Sequence, residues 1–258
     1  MTVLDNTPEL WLSVFPRPAV TDHKYTRGHT VIMGAPEYTG ATRLAAEASS
    51  RIGSGLVTVL SKDQAHLYRA TLPPDIMVRA GPLDQVNRPT VLLAGPGGCD
   101  AQSASTLKSS DPKLGVVMDA DAIRLCDQIQ HSQQIITPHV GEFERHFGSI
   151  GSDTIKRVTD VAKHHQAVVV LKGSKTLIAA PDGRVAENVH ASPYLAKAGT
   201  GDVLAGFIAG LFAQGMPAFE AACAGVWLHG DTSLRVGPGL VPQDMFAELR
   251  PVLANLLR

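Results

Sequence analysis

Residues 197–202 (KAGTGD) combine a glycine-rich turn with a carboxylate, and they lead directly into an apolar segment that ends at Phe212. A glycine-rich turn at the start of a helix directs several backbone N–H groups at one point, where the helix dipole adds positive charge. The segment therefore predicts a phosphate site. A carboxylate repels phosphate, so Asp202 fits a hydroxyl or a metal ion better, which indicates phosphoryl transfer to a hydroxyl or chemistry derived from it. The alternative is that Asp202 only stabilises a helix N-terminus.

The composition is that of an ordinary globular protein with a large core. The chain has 258 residues, of which 44% are hydrophobic and 18% charged. This length allows one α/β domain or two small ones. The net charge of −1 implies no general attraction to nucleic acid or to an anionic membrane. We therefore expect neither as a partner.

The cysteines and the N-terminal segment predict a cytoplasmic protein. Cys99, Cys126 and Cys223 are an odd number and lie far apart, which disfavours a disulfide framework or a zinc site and fits a reducing compartment. No basic region followed by an apolar run begins the chain, so no secretory signal is expected. The longest apolar stretch, residues 203–212, is too short to span a bilayer.

Short apolar runs alternate with helical patterns along the chain. Strands are predicted at 29–34, 56–60, 75–78, 90–95, 115–119, 134–137 and 167–172, and helices at 41–52, 153–165, 201–214, 217–233 and 241–257. A hairpin is predicted at 176–180 and 184–188, around the turn 181–183. The pattern predicts a mainly parallel central sheet with flanking helices. We predict one domain, 1–258, in which the proline-rich residues 1–28 form a loosely structured lead-in.

Polar and glycine-rich turns follow five of the predicted strands. They are Gly34 with the turn 38–41, the turn 95–98, the aspartates of 119–121, the turn 137–142, and 172–173. Ligands of parallel sheets bind beyond the carboxyl ends of the strands. The turns therefore predict one binding edge.

The order of these motifs is specific, although several of them are weak alone. The set comprises His23, Lys24 and Gly28, then YTGA at 38–41, GSGLVT at 53–58, GPG at 95–97, DADA at 119–122, TPHVGE at 137–142, KGSKT at 172–176 with PDG at 181–183, and GTGDVL at 199–204. In these motifs the chain resembles the ADP- or ATP-dependent NAD(P)H-hydrate dehydratases, a branch of the ribokinase-like superfamily. The resemblance spans almost the whole chain and implies a three-layer αβα fold.

The resemblance implies a lyase that repairs a metabolite. Such an enzyme dehydrates the S form of hydrated NADH or NADPH, coupled to nucleotide hydrolysis. Hydroxide leaves poorly, but a phosphorylated hydroxyl leaves as phosphate when the ring nitrogen donates its lone pair. Adenine nucleotide, either ADP or ATP, is the implied co-substrate. Mg²⁺ is expected with its phosphates, and a homo-oligomer, a tetramer, is implied.

The resemblance also implies the roles of individual residues. Asp202 is implied as the catalytic group that orients or deprotonates the hydroxyl. The hydrated cofactor is expected against Ala41, Gly97, His139 and Asp202. The nucleotide is expected against Lys172, Gly173, Ser174, Lys175, Thr176, Gly199, Thr200 and Gly201.

Several of these residues have structural alternatives. His139 could only hydrogen-bond the backbone of a turn, Glu142 could only favour the start of a helix, and Lys172 could extend to solvent from a strand end. Asp119 and Asp121 could form a metal-associated pair, or Asp121 could cap a helix. His229 is interpreted as structural. The chain departs from the family pattern at Lys197 and Ala198, which replace the family's usual Thr and Gly. Lys197 either contacts phosphate or points to solvent.

Two other functions stay open at this stage. One is a kinase of the hydroxyethylthiazole or pyrimidine type on the same fold, with Asp202 as base. The other is a nucleotide-binding module without catalysis. The sequence does not decide between ADP and ATP, nor whether the dehydratase stands alone or is half of a fusion with the epimerase domain that relatives often carry.

Overall fold

The computed structural model describes residues 2–129 and 131–258, and within them ten strands form one sheet. In chain order the strands are β1 Val3–Asp5, β2 His29–Met33, β3 Leu56–Leu60, β4 Met77–Arg79, β5 Val91–Ala94, β6 Gly115–Met118, β7 Gln133–Ile136, β8 Ala167–Leu171, β9 Thr176–Ala179 and β10 Val185–Asn188. Their order across the sheet is β1-β10-β9-β8-β7-β6-β5-β2-β3-β4. Only the β8–β9 and β9–β10 pairs are antiparallel. The predicted parallel sheet and hairpin are confirmed.

Eight α-helices of the described residues flank the sheet. They are α1 Thr39–Arg51, α2 Ala65–Thr71, α3 Ala101–Ser109, α4 Val140–Phe147, α5 Thr154–His165, α6 Thr200–Ala213, α7 Ala218–Val236 and α8 Asp244–Leu256. Short 3₁₀ helices lie at Pro8–Leu10, Leu12–Val14, Leu83–Gln85, Ala120–Leu125 and Pro193–Leu195. None of the helices in these ranges has both the length and the hydropathy that crossing a membrane requires.

Both faces of the sheet are buried, each against a different set of helices. Along β2, Ile32 packs into the cluster formed with α1, α6, α7 and α8, whereas Val31 and Met33 pack into the cluster formed with α3, α4 and α5. Successive side chains of a strand point to opposite faces. A strand covered on both faces is therefore apolar throughout, and the three-layer αβα prediction is confirmed.

The N-terminal segment corrects the prediction of a loosely structured lead-in. Strand β1 pairs in parallel with β10, and two 3₁₀ helices follow it. Trp11 is fully buried and its ring lies 5.6 Å from that of Phe15 and 5.8 Å from that of Trp227 on α7. Burial of these large rings stabilises the segment. Only the later part, residues 16–28, has neither helix nor strand.

The helices α2, α3 and α4 were not among the predicted elements, and the predicted strand 75–78 is displaced to Met77–Arg79. These helices contain seven, nine and eight residues. So few turns present too few apolar positions to show a helical period. Helix α3 is instead begun by Asp100, whose side chain accepts from the backbone N–H of Ser103 at 2.7 Å.

Helix α6 is buried along almost its whole length, and this packing fixes the position of its N-terminus. It packs between α1, α7 and the sheet. A Cβ at Gly206 would lie 2.4 Å from the backbone oxygen of Ala45, and one at Gly210 would lie 2.3 Å from Ile52. Only glycine permits this approach of α1. The start of α6 is therefore held at the carboxyl edge of the sheet.

Candidate active site

One cleft of about 880 Å³ lies at the carboxyl edge of the sheet, between the ends of β6 to β8 and the start of α6. Its volume is typical of a small-molecule site. Nine of the predicted residues line it: His139, Lys172, Gly173, Ser174, Thr176, Gly199, Thr200, Gly201 and Asp202. The structure therefore brings most of the predicted nucleotide residues to one place.

The first turn of α6 presents free backbone donors to this cleft. Gly199 precedes the helix with φ = 95° and offers no side chain as a cap. The Thr200 hydroxyl donates to the carbonyl oxygens of Leu195 and Lys197, both at 2.8 Å. Because the first N–H groups of a helix have no intrahelical acceptor, those of Gly201 and Asp202 are available to an anion.

His229, on α7, hydrogen-bonds to this first turn. Its Nε2 lies 2.8 Å from the carbonyl oxygen of Thr200, so this nitrogen carries the proton and donates. Burial lowers the pKa of His229 to about 4, and the ring is neutral at physiological pH. The histidine interpreted as structural from the sequence thus lines the cleft and positions the helix start.

Lys172 and Asp119 form an ion pair at the centre of the cleft. Lys172 follows β8 and its Nζ donates to Asp119 Oδ1 at 2.8 Å, while the Thr137 hydroxyl donates to the same oxygen at 2.7 Å. Asp119 is buried. Although burial disfavours the ammonium, the Asp119 carboxylate, with Glu142 and Asp202, raises the pKa of Lys172. Lys172 therefore stays charged and does not extend to solvent.

His139 and Glu142 form a reciprocal cap at the start of α4. The backbone N–H groups of Gly141 and Glu142 donate to His139 Nδ1 at 3.0 and 3.3 Å, and the His139 N–H donates to Glu142 Oε2 at 2.8 Å. Both residues therefore have the structural role considered from the sequence: His139 hydrogen-bonds the backbone of the turn, and Glu142 stabilises the start of the helix. Both also reach the cleft, because His139 lines it and Glu142 Oε2 lies 4.0 Å from Lys172 Nζ.

Asp202 is held in an environment that disfavours its charge. Burial, followed by the nearby Asp119 carboxylate, raises the pKa of Asp202 to about 7, against the attraction of Lys172. A carboxyl group with this pKa is half protonated near neutral pH and can accept a proton from a hydroxyl. Three features therefore coincide: an anion site, a fixed lysine and a carboxylate suited to a general base.

Three predicted residues lie outside this cleft. Lys175 lines an adjoining groove, which shares Lys172, Gly173 and Ser174 with the cleft. Its Nζ lies 3.3 Å from Glu187 Oε2. Gly97 lines a smaller cleft of about 380 Å³ at the same edge of the sheet, together with Asp121. A Cβ at Gly97 would lie 3.1 Å from that of Ala41. Ala41 and Gly97 are therefore neighbours, and Asp119 and Asp121 face different clefts.

No group of three metal-ligating side chains lies at the cleft within the described part of the chain. Such a group among the described residues consists of Cys126, Asp127 and His165, and none of these residues lines the cleft. His165 Nδ1 already contacts Asp127 at 2.5 Å, and burial raises the pKa of the Cys126 thiol to about 11, so the thiol keeps its proton. We assign no metal centre to this group.

The chain is similar to known proteins in both sequence and fold. A sequence model described as NAD(P)H-hydrate dehydratase matches residues 29–242. The ADP-dependent (S)-NAD(P)H-hydrate dehydratase of Neisseria meningitidis is 34% identical over 265 residues, which cover 92% of this chain and 88% of that protein. Bifunctional NAD(P)H-hydrate repair enzymes also match, and the chain spans about half of their length.

Solved structures share the fold. The ADP/ATP-dependent NAD(P)H-hydrate dehydratase of Bacillus subtilis, co-crystallised with ATP and Mg²⁺, superposes with a TM-score of 0.86 over 99% of both chains, at 27% identity. A ribokinase-like superfamily protein of Enterococcus faecalis superposes with a TM-score of 0.87 over 97% of this chain and 95% of that one, at 26% identity.

Proposed function

The chain belongs to the NAD(P)H-hydrate dehydratase family. On that premise we propose that it dehydrates the S form of hydrated NADH and NADPH, coupled to hydrolysis of an adenine nucleotide. The observation that carries the proposal is the position of Asp202. Its carboxyl group, with a pKa of about 7, stands in the first turn of the helix whose free N–H groups suit phosphate. A base for a hydroxyl and a site for phosphate are thus adjacent.

The reaction follows from these groups in two steps. Asp202 accepts the proton of the substrate hydroxyl as its oxygen attacks the terminal phosphorus of the nucleotide, whose bond to the bridging oxygen breaks. The substrate then carries a phosphate ester. The ring nitrogen donates its lone pair, the carbon–oxygen bond breaks and inorganic phosphate leaves. Loss of a proton from the neighbouring ring carbon restores the double bond of NADH or NADPH.

The other groups hold charge and position. Lys172 is fixed by Asp119 and lies beside the helix start, where a Cβ at Gly201 would be 3.6 Å from its Nζ. From there its ammonium attracts the transferred phosphoryl group. We propose that the nucleotide lies along Gly173, Ser174 and Thr176, which line the same cleft.

Mg²⁺ fits this cleft as a companion of the nucleotide. Magnesium is usually held by one or two carboxylates together with substrate phosphates, and Glu142, whose Oε2 lies 4.0 Å from Lys172 Nζ, would supply a carboxylate here. When bound, the ion neutralises charge on the phosphates. The relative from B. subtilis was co-crystallised with ATP and Mg²⁺.

We propose that residues 1–258 form one domain, that the protein works in the cytoplasm, and that it assembles as a homotetramer. The continuous ten-stranded sheet supports the first. Light scattering of the purified protein measures the mass of the assembly.

The proposed activity is tested by spectroscopy. Hydrated NADH lacks the dihydronicotinamide absorbance, so purified protein with hydrated NADH, Mg²⁺ and either ADP or ATP should restore that band and release phosphate. The Asp202→Asn variant is the control. Folded protein that restores no absorbance with either nucleotide would exclude the proposal, and phosphorylation of thiazole or pyrimidine alcohols would favour a kinase.

A further inference from the structure

Few positively charged side chains line the cleft that is proposed to hold a polyphosphate. Among the described residues that line it, the carboxylates are Asp119 and Asp202 and the lysines are Lys172 and Lys197. Lys172 Nζ contacts Asp119 at 2.8 Å and Glu142 at 4.0 Å, so its charge is already balanced by acidic groups. Mg²⁺ would offset only part of the charge on the nucleotide phosphates, so a further cation at the cleft would strengthen binding.

Lys197 is the lysine that meets this need. Its side chain is exposed, and no ion pair or side-chain hydrogen bond involves its ammonium in the described part of the chain. A lysine ammonium without a partner keeps all three donors for a ligand. Lys197 thus differs from Lys172, which is fixed, and from Lys175, which pairs with Glu187 in the adjoining groove.

The backbone of Lys197 is tied to the phosphate site, although its side chain is free. Its N–H donates to the Leu195 oxygen at 2.7 Å, and its carbonyl oxygen accepts from the Thr200 hydroxyl at 2.8 Å. Thr200 is the first residue of α6. The backbone of the lysine is therefore held three residues before the helix start, while its side chain has no partner among the described residues.

We propose that Lys197 binds the polyphosphate of the nucleotide and supplies the positive charge that the remaining groups of the cleft do not. This proposal rests on the proposed function, since it specifies how the same cleft holds its nucleotide. Lysine binds phosphate as a mobile point charge. The ammonium would contact the phosphates from the solvent side, opposite the N–H groups of α6. Lys197 is thus a binding residue that determines affinity for charged nucleotides.

Calorimetry of nucleotide binding tests the proposal without requiring catalysis. Adenosine, ADP and ATP are titrated into wild-type protein and into Lys197→Thr, Lys197→Arg and Lys113→Thr variants, at low and high salt. Lys113 is an exposed lysine just before β6, at the opposite edge of the sheet, and its variant is the matched control. Loss of one exposed charge contact should weaken ADP and ATP binding about five- to tenfold at low salt.

The pattern across ligands decides the result. The Lys197→Thr variant should bind adenosine as wild type does, and its ADP affinity should depend less on salt. Lys197→Arg should retain most of the affinity, and Lys113→Thr should retain all of it. Unchanged ADP and ATP affinity in Lys197→Thr would overturn the proposal, and so would an equal loss for adenosine.

Failure of this inference is distinct from failure of the proposed function. Wild-type protein that restores the dihydronicotinamide absorbance, together with a Lys197→Thr variant of unchanged nucleotide affinity, refutes the role of Lys197 alone. If Lys197→Thr weakens ADP and ATP binding but wild-type protein restores no absorbance, the phosphate contact is supported and the dehydration is refuted.

Discussion

Replacing Asp202 by asparagine should make the protein more stable and nearly inactive. The pKa of Asp202 rises from its ordinary 3.8 to about 7 because the folded protein holds the carboxylate among buried groups and near Asp119. At 1.36 kcal/mol per pH unit, the folded state bears a cost of about 4 kcal/mol when the group is ionised. Asp202 is partly exposed, so solvent screening reduces the expected gain to about 2 kcal/mol.

The gain should depend on pH in a defined direction. The folded state binds the Asp202 proton more tightly than the unfolded state does, so this group's contribution to stability is fully present below pH 3.8 and is lost as the pH rises through about 7. Asparagine cannot ionise, so the variant does not lose this stability as the pH rises. The free energy of unfolding should therefore exceed that of wild type by about 2 kcal/mol at pH 8, and the difference should shrink towards pH 4.

Urea unfolding followed by tryptophan fluorescence measures the difference, since Trp11 is fully buried in the native protein. Asp84→Asn removes an exposed carboxylate and should show no such pH-dependent gain. Turnover by Asp202→Asn should fall about 10²- to 10⁴-fold, while nucleotide affinity holds or rises. A variant that is destabilised at pH 8, or equally stabilised at pH 4, would refute the electrostatic reasoning. Near-normal turnover would leave Asp202 as a helix-end residue only.

The remaining predictions address the groups around Asp202. The kcat/KM of wild type should rise with pH and level off above about pH 7, where Asp202 is ionised; a flat profile in steady-state assays would exclude it as base. Gly201→Val should fold, because the nearest atom to a Cβ there lies 3.6 Å away, yet calorimetry should show strong loss of nucleotide binding and a smaller loss for the hydrated cofactor. Gly199→Ala should lower the Tm in a thermal scan, since φ is +95° and the Cβ would meet Leu44 at 2.8 Å. Lys172→Met should lower the free energy of unfolding in urea by about 3 kcal/mol, because it leaves the buried Asp119 carboxylate unpaired.

Much of the fold could be predicted because its strands are buried on both faces. A strand between two helical layers must be apolar at successive positions, as β8 is from Ala167 to Leu171, and such runs are visible in a single sequence. The glycine turn before α6 was equally visible, because a positive φ and a close approach both require glycine. Short elements such as β1 and α3 were not, since their apolar residues are too few to show a period.

The sequence also indicated the members of the site, but not their partners. Lys172 and Thr176 were predicted to share a nucleotide site, and both line the cleft. Lys175 belonged to the same motif but lines the adjoining groove, because the chain bends at residues 173–175 and its ammonium pairs with Glu187. His229 gave no local signal, since its role depends on the Thr200 carbonyl oxygen, 29 residues away.

The sequence by itself determined the αβα layering, the glycine turn at the start of α6 and the family resemblance, because each is visible in local patterns and in their order along the chain. Tertiary structure alone decided the electrostatics. Asp119 and Lys172 are 53 residues apart and meet only because β6, β7 and β8 are neighbours in the sheet. Their pairing and the burial around Asp202 set the pKa of the proposed base. Charge interactions depend on distance and on exclusion of water, and neither is encoded in the spacing of residues along a chain.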